Sequence, residues 1–271
     1  MNNLHRELAP ISDAAWSQIE AETTRTIKRY LAGRRVVDVP SPGGAVLSGV
    51  ATGHLKSISA PAEGIIANLR EVKPLVELQV PFELSRQTID DVERGSNDSD
   101  WQPAKDVAKK LAFAEDRAIF NGYGEAGIRG IRECTSNPRD PLPMEVDNYP
   151  DAIAHALSQL RLVGVNGPYS VLLGDSEYTA LAESRDQGYP IIEHIKRLVD
   201  GNLIWAPAIE GAFVLTTRGG DFELTIGQDV SIGYLSHTDS VVRLYLRETF
   251  MFRVLTSEAS VARESISPHK R

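Results

Sequence analysis

Cysteine is almost absent from this chain. A single Cys134 in 271 residues excludes an intrachain disulfide framework and fits a reducing compartment. Long apolar runs are missing too: no stretch approaches the ~20 residues of a membrane span, and the opening MNNLHRELAP carries no basic segment followed by an apolar one. A cytoplasmic protein with no membrane partner is expected. Positive charge is in deficit, with 29 Lys plus Arg against 37 Asp plus Glu and a net charge of −8, so the chain as a whole repels nucleic acid. Lys28, Arg29, Arg34 and Arg35 form a local basic cluster, but Glu20, Glu22 and Asp38 dilute it, and it reads as a solvated helix face.

Catalytic signatures are scarce. The six histidines are scattered, none in H-E-x-x-H or beside Cys134, and no G-x-S-x-G elbow marks a nucleophile. A Ser/His/Asp site whose members are distant in the chain stays open at this level. Gly122, Gly124 and Gly127 match G-x-G-x-x-G, yet a helix pattern precedes them and Ile128-Arg129-Gly130 follows, so no helix N-terminus is offered to a pyrophosphate. The acidic run 90–100 has neither calcium-loop nor zinc spacing and is expected to be a solvated loop. No metal, no cofactor and no enzymatic activity are expected.

What is present is an ordinary globular composition, 42% hydrophobic and 24% charged, in a length that allows one large or two modest domains. Consecutive strands are expected from Trp205 to Leu255. Phe222, Leu224 and Ile226 alternate with polar neighbours, as do Val230, Ile232 and Tyr234, and Gly219-Gly220-Asp221 supplies a tight turn. In the last run Val242, Leu244, Leu246, Phe250, Phe252 and Val254 share one face, broken by Glu248, which needs a partner or a rim position. Arg243, Tyr245, Arg247, Thr249, Met251 and Arg253 share the other, which suits a partner surface, solvent or cover by a helix of the same chain.

Ser12 to about Leu31 predicts an amphipathic helix with Ser12 as N-cap and Gly33 as its end. Runs around Val46 to Leu55 and Leu75 to Val80, separated by Ala60-Pro61-Ala62-Glu63-Gly64, predict an extended two-stranded arm whose edges need cover from a neighbouring subunit. A long helix starts at Pro103 and stops at Asn121-Gly122. A small α/β region follows: a helix from Pro150, a buried strand Tyr169 to Leu173, a short helix near Ser176 to Glu183, a Gly188-Tyr189-Pro190 loop and a helix through Ile191, Ile195 and Leu198, with the Trp205 to Leu215 strands leading back to the first domain. Ala262 to Arg271 is expected to be a frayed polar tail.

Motifs in a fixed order carry a resemblance. They are Leu8-Ala9-Pro10 with Ser12, Gly33-Arg34-Arg35-Val36-Val37-Asp38-Val39, Lys73-Pro74-Leu75, Asp91-Val92-Glu93-Arg94-Gly95, Glu115-Asp116, Gly167-Pro168-Tyr169, Gly188-Tyr189-Pro190, Arg218-Gly219-Gly220-Asp221-Phe222 and Gly227-Gln228-Asp229-Val230-Ser231-Ile232-Gly233-Tyr234. On these the chain resembles the encapsulins, shell proteins of bacterial nanocompartments once described as linocin-type bacteriocins. The resemblance implies an α+β fold of the tailed-bacteriophage major-capsid type: residues 1–45 as N-terminal helix and start of the P-domain, 46–80 as extended loop, 81–134 as P-domain with the long helix, 135–222 as A-domain, and 223–271 as return to the P-domain sheet and C-terminal tail. It further implies self-assembly into a closed icosahedral shell around a cargo enzyme, a dye-decolourising peroxidase or a ferritin-like protein, recruited by a C-terminal targeting peptide. The positions matching the cargo-peptide groove are Ile27, Leu31, Arg34, Asp38, Asp229, Val230 and Ile232. Asp186, Gln187, Gly188 and Tyr189 match the loop around the fivefold pore. Some members bind a flavin near a tryptophan; the matching position is Gln87. The alternative from another class is a hydrolase, in keeping with the old bacteriocin label.

Overall fold

The computed structural model describes residues 3–186 and 188–265. Helix α1 (Asp13–Tyr30) starts where Ser12 Oγ accepts from the Ala15 N–H at 3.3 Å. Its end differs from expectation: Leu31 turns extended, and Gly33 begins a short 3-10 turn. Gly33 is there for closeness of packing, because a Cβ at that position would stand 2.5 Å from Ile119 Cδ1.

Strands β1 (Gly49–Ile58) and β2 (Ala67–Pro74) pair antiparallel as a two-stranded arm. The returning leg is therefore 67–74, not 75–80. The run from Val76 belongs to β3 (Val76–Ser85), whose alternation continues into buried Phe82 and Leu84. That burial is available only in a sheet with a core beneath it. The arm has none, and Val46, Leu55, Ile66, Leu69 and Val72 stand exposed. Next comes α2 (Arg86–Glu93), so the first residues of the acidic run are helical and only the remainder is loop. Then α3 (Gln102–Phe120) takes Pro103 in its first turn and stops at Asn121, as its sequence requires.

The second unit of structure comprises α4 (Ile131–Cys134), α5 (Tyr149–Leu162), β4 (Tyr169–Leu173), α6 (Asp175–Glu183), β5 (Arg185–Asp186), β6 (Tyr189–Pro190), α7 (Ile191–Leu198), β7 (Leu203–Trp205) and β8 (Ala212–Thr216). The chain then runs through β9 (Phe222–Ile226), β10 (Ser231–His237), β11 (Val241–Val254) and β12 (Ser260–Arg263). One four-stranded sheet is ordered β10-β11-β3, with β9 also on β11; the other is β12-β8-β4-β7, with β4 and β7 parallel. The strands β7 and β8 thus belong to the second sheet instead of leading out of it. The chain end is not frayed through Arg263 either, since Val261, Ala262 and Arg263 are buried and β12 pairs with β8. Residues 266–271 of the expected tail lie outside the described residues.

Strand β11 is buried on both faces at its centre. Leu244, Leu246, Phe250 and Phe252 fill one face, and Tyr245 and Met251 are covered on the other. Its arginines pair across the sheet: Arg243 with Glu83 at 3.1 Å, Arg247 with Glu77 at 3.8 Å and Arg253 with Glu223 at 2.6 Å. Opposite charges facing each other across neighbouring strands fix register, and this is the use the structure makes of that face.

Candidate functional site

One well-formed apolar concavity is built from three stretches far apart in sequence. The wall is α1, presenting Thr23, Ile27 and, just past its end, Leu31; the floor is the start of β10, with Val230, Ser231 and Ile232; the lip is the N-terminal segment, with Leu4 and Arg6. The groove has a volume of about 580 Å³. The segment 3–4 is held in place by backbone bonding, since the Tyr234 N–H donates to Leu4 O at 2.9 Å and Tyr245 Oη donates to Asn3 O at 3.2 Å. Beneath the groove, Ile27, Leu31 and Ile232 pack into one core cluster with Leu84, Leu111 and Leu246. The same side chains therefore dock the helix and line the groove.

Two ion pairs bracket it along α1. Arg6 bonds Glu20 at 2.5 Å and lies 4.1 Å over the Trp16 ring. Arg34 bonds Asp229 at 2.8 Å. Arg34 also reaches inward: its guanidinium donates to Glu115 at 2.5 to 3.0 Å and to Glu248 Oε2 at 3.3 Å. Both carboxyls are almost wholly buried, and Arg34 supplies the charge that permits it. Burial opposes the charge on Arg34, yet hydrogen bonding to and attraction by Glu115, then by Asp229, leave the guanidinium more firmly protonated than usual. Burial first, then the facing Glu115, push the Glu248 carboxyl well above the usual range. Beside them Asp116 accepts from the Ala32 and Gly33 N–H groups at 2.9 and 2.8 Å. Burial pushes its carboxyl up to about 7 against the lowering effect of those two donors. A cluster of buried carboxyls behind one arginine thus fixes the turn after α1, and with it the groove's far end.

Of the residues matched to the groove by sequence, Ile27, Leu31, Arg34, Asp229, Val230 and Ile232 come together. Asp38 does not. Its backbone pairs with β9, and its carboxylate accepts from Gly220 N–H at 2.6 Å, so it serves the Gly219-Gly220 turn and lines a separate, smaller cleft. Leu4, Arg6 and Glu20 were missed, because nothing local says that the first residues fold back over β10 and β11.

The matched pore loop is a minimal hairpin in which Asp186 pairs with Tyr189 and Gly188 takes φ 89°. Only glycine adopts that conformation without strain. Gln187 lies outside the described residues. Tyr189 stacks edge-on against His194 at 5.0 Å, with Arg197 5.3 Å over its ring. Gln87 is exposed on α2. Among the described residues, no group of three His, Cys, Asp or Glu side chains is arranged to hold a metal ion, and no helix is long and apolar enough to cross a membrane.

Comparison with known proteins places this architecture. A family model described as "Encapsulating protein for peroxidase" matches residues 1–251. The Type 1 encapsulin shell protein of Mycobacterium tuberculosis is 62% identical over 262 residues, covering 97% of this chain and 99% of that protein. The Type 1 encapsulin shell protein of Brevibacterium linens is 55% identical over 262 residues, covering 96% and 98%. Among solved structures, the virus-like particle protein of Pyrococcus furiosus superimposes with a TM-score of 0.65 at 17% identity, covering 92% of this chain and 99% of that one. A Myoviridae phage capsid protein superimposes at 0.54 with 12% identity, covering 84% and 89%. The fold is that of the tailed-phage capsid proteins, and the hydrolase alternative falls, because the relatives are shell proteins and not catalysts. The chain belongs to the encapsulin shell-protein family.

Proposed function

We propose that this protein assembles with copies of itself into a closed icosahedral shell in the cytoplasm, and that the groove between α1 and β10 receives the C-terminal targeting peptide of a guest enzyme. The observation that carries the reading is the convergence of Ile27, Leu31, Val230 and Ile232 on one concave apolar surface with an ion pair toward each end. Burying two or three leucine-sized anchors there contributes ~1.5–3 kcal/mol each, a weak single contact that repetition over many subunits turns into secure retention. Self-assembly is supported by the β1–β2 arm, whose exposed Ile66 and Leu69 have no core of their own; a neighbouring copy would supply the missing cover. The family description favours a peroxidase as guest, with a ferritin-like protein as the other guest that the resemblance implies. The hairpin Asp186, Gly188 and Tyr189, with Gln187, is the element we assign to the fivefold pore. Asp38 has no part in the groove on this reading.

The test is co-expression of the shell with a fluorescent protein bearing the peroxidase's C-terminal peptide, followed by sedimentation. Wild type is expected to sediment as hollow particles with the guest inside, and Val230→Asp with Ile232→Asp to give the same particles empty. Guest retention by the double variant would show that the peptide docks elsewhere.

A further inference from the structure

Another face of α1 and the facing side of α3 carry a stripe of positive charge that the groove does not use. On α3, Lys105 and Lys109 lie one turn apart, about 6 Å along the helix, and Arg25 and Arg29 of α1 lie beside them. Together with Asp106 they flank a cleft of about 470 Å³. Glu22 is the carboxylate shared by Arg25 at 2.5 Å and Lys105 at 3.7 Å. Among the described residues Arg29 and Lys109 have no carboxylate partner and are held over aromatic rings instead: Arg29 lies 5.7 Å from the Trp205 ring centre and Lys109 5.2 Å from that of Tyr30. A ring orients a cation without neutralising it. The result is a largely exposed patch in which Arg25, Arg29, Lys105 and Lys109 outnumber Glu22 and Asp106, on a chain whose net charge is −8.

We infer that this stripe is a second docking surface, for an acidic protein face: the folded body of the guest whose peptide lies in the adjoining groove. The inference rests on the proposed cargo reading, because α1 carries both surfaces, and a guest tethered in the groove meets the stripe at high effective concentration. Carboxylates on the guest complement the unpaired cations, and arginine with aromatic side chains is the mixture favoured at protein interfaces. Single-stranded nucleic acid fits less well. The ring faces it would stack on already lie under the chain's own cations.

The experiment loads shells in cells with two fluorescent proteins of different colour, one with a strongly acidic surface and one with a strongly basic surface, both ending in the same peroxidase C-terminal peptide. The expected result at equal expression is a roughly three- to tenfold excess of the acidic guest, the range that a few exposed ion pairs supply. In the Arg29→Gln, Lys109→Gln shell the ratio falls toward one while both guests still load through the groove. Equal loading in wild type overturns the inference, as does nuclease-protected nucleic acid found in place of the guest preference. Failure of the double variant to form particles also overturns it, by placing the stripe at a contact between subunits. If neither guest loads in wild type, the groove reading fails, and the stripe inference with it.

Discussion

Replacing Arg34 by methionine keeps most of the side chain's length and removes the cation that faces Glu115 and Glu248. The Glu115 and Glu248 side chains are 1% and 2% exposed, against 20% for Arg34. Breaking a buried pair by deleting one partner costs about 3–5 kcal/mol, because the remaining charge is left uncompensated. The loss has a pH signature. Without Arg34 the Glu248 carboxyl titrates still further above its unfolded value, so the native state of the variant holds a proton that the unfolded chain has released. Stability linked to such groups is present near pH 4 and is lost as pH rises through the folded pKa, at ~1.4 kcal/mol per pH unit per proton. The expected result is a loss of about 3–5 kcal/mol at pH 8 that shrinks by more than half at pH 5. Adding Glu248→Gln, which removes one of the two charges, restores part of it at pH 8. Urea unfolding of dissociated subunits, followed by the fluorescence of buried Trp16 and Trp101, reads both numbers. An equal loss at pH 5 and pH 8 would refute the electrostatic account and assign the effect to packing of the arginine stem.

Other expectations follow from the same geometry. Wild-type stability should fall as pH rises from about 5 to 7, because Asp116, pushed up to about 7 by burial, binds its proton in the native state across a window where the unfolded carboxyl has released it; the slope should flatten in Asp116→Asn, and an unchanged slope would assign it to another group. Gly33→Ala should cost about 1–3 kcal/mol through overpacking, since its Cβ would meet Ile119 Cδ1 at 2.5 Å and Asp116 Oδ1 at 3.0 Å; a thermal midpoint matching wild type would mean that the α1–α3 joint yields freely. Ile66→Asp with Leu69→Asp, at exposed arm positions, should leave the subunit's circular dichroism intact and abolish particles in sedimentation. Particles of normal size would show that the arm is not an assembly contact.

Local patterning determined a large share of this protein. Ser12 as cap, Pro103 in the first turn of α3, the alternation of Phe222, Leu224 and Ile226, and the buried run Tyr169 to Leu173 are each settled by near neighbours in the chain, and the structure has them where the residues place them. Where burial did not separate the faces, the pattern misled. The arm's returning leg, 67–74, has little apolar periodicity because no core lies under it, whereas β3, with a core beneath, carries the stronger alternation that the sequence shows at 75–80. Four-residue β12 is too short to show a period at all. The groove needed tertiary structure for a different reason. Leu4, Ile27 and Ile232 meet only after the N-terminal segment has folded over β10. Glu248 could be read as a carboxyl in need of a partner, but that partner, Arg34, lies 214 residues away. Composition and periodicity carry no term for such distances, whereas a buried carboxyl without its cation is costly enough that the fold must bring the two together.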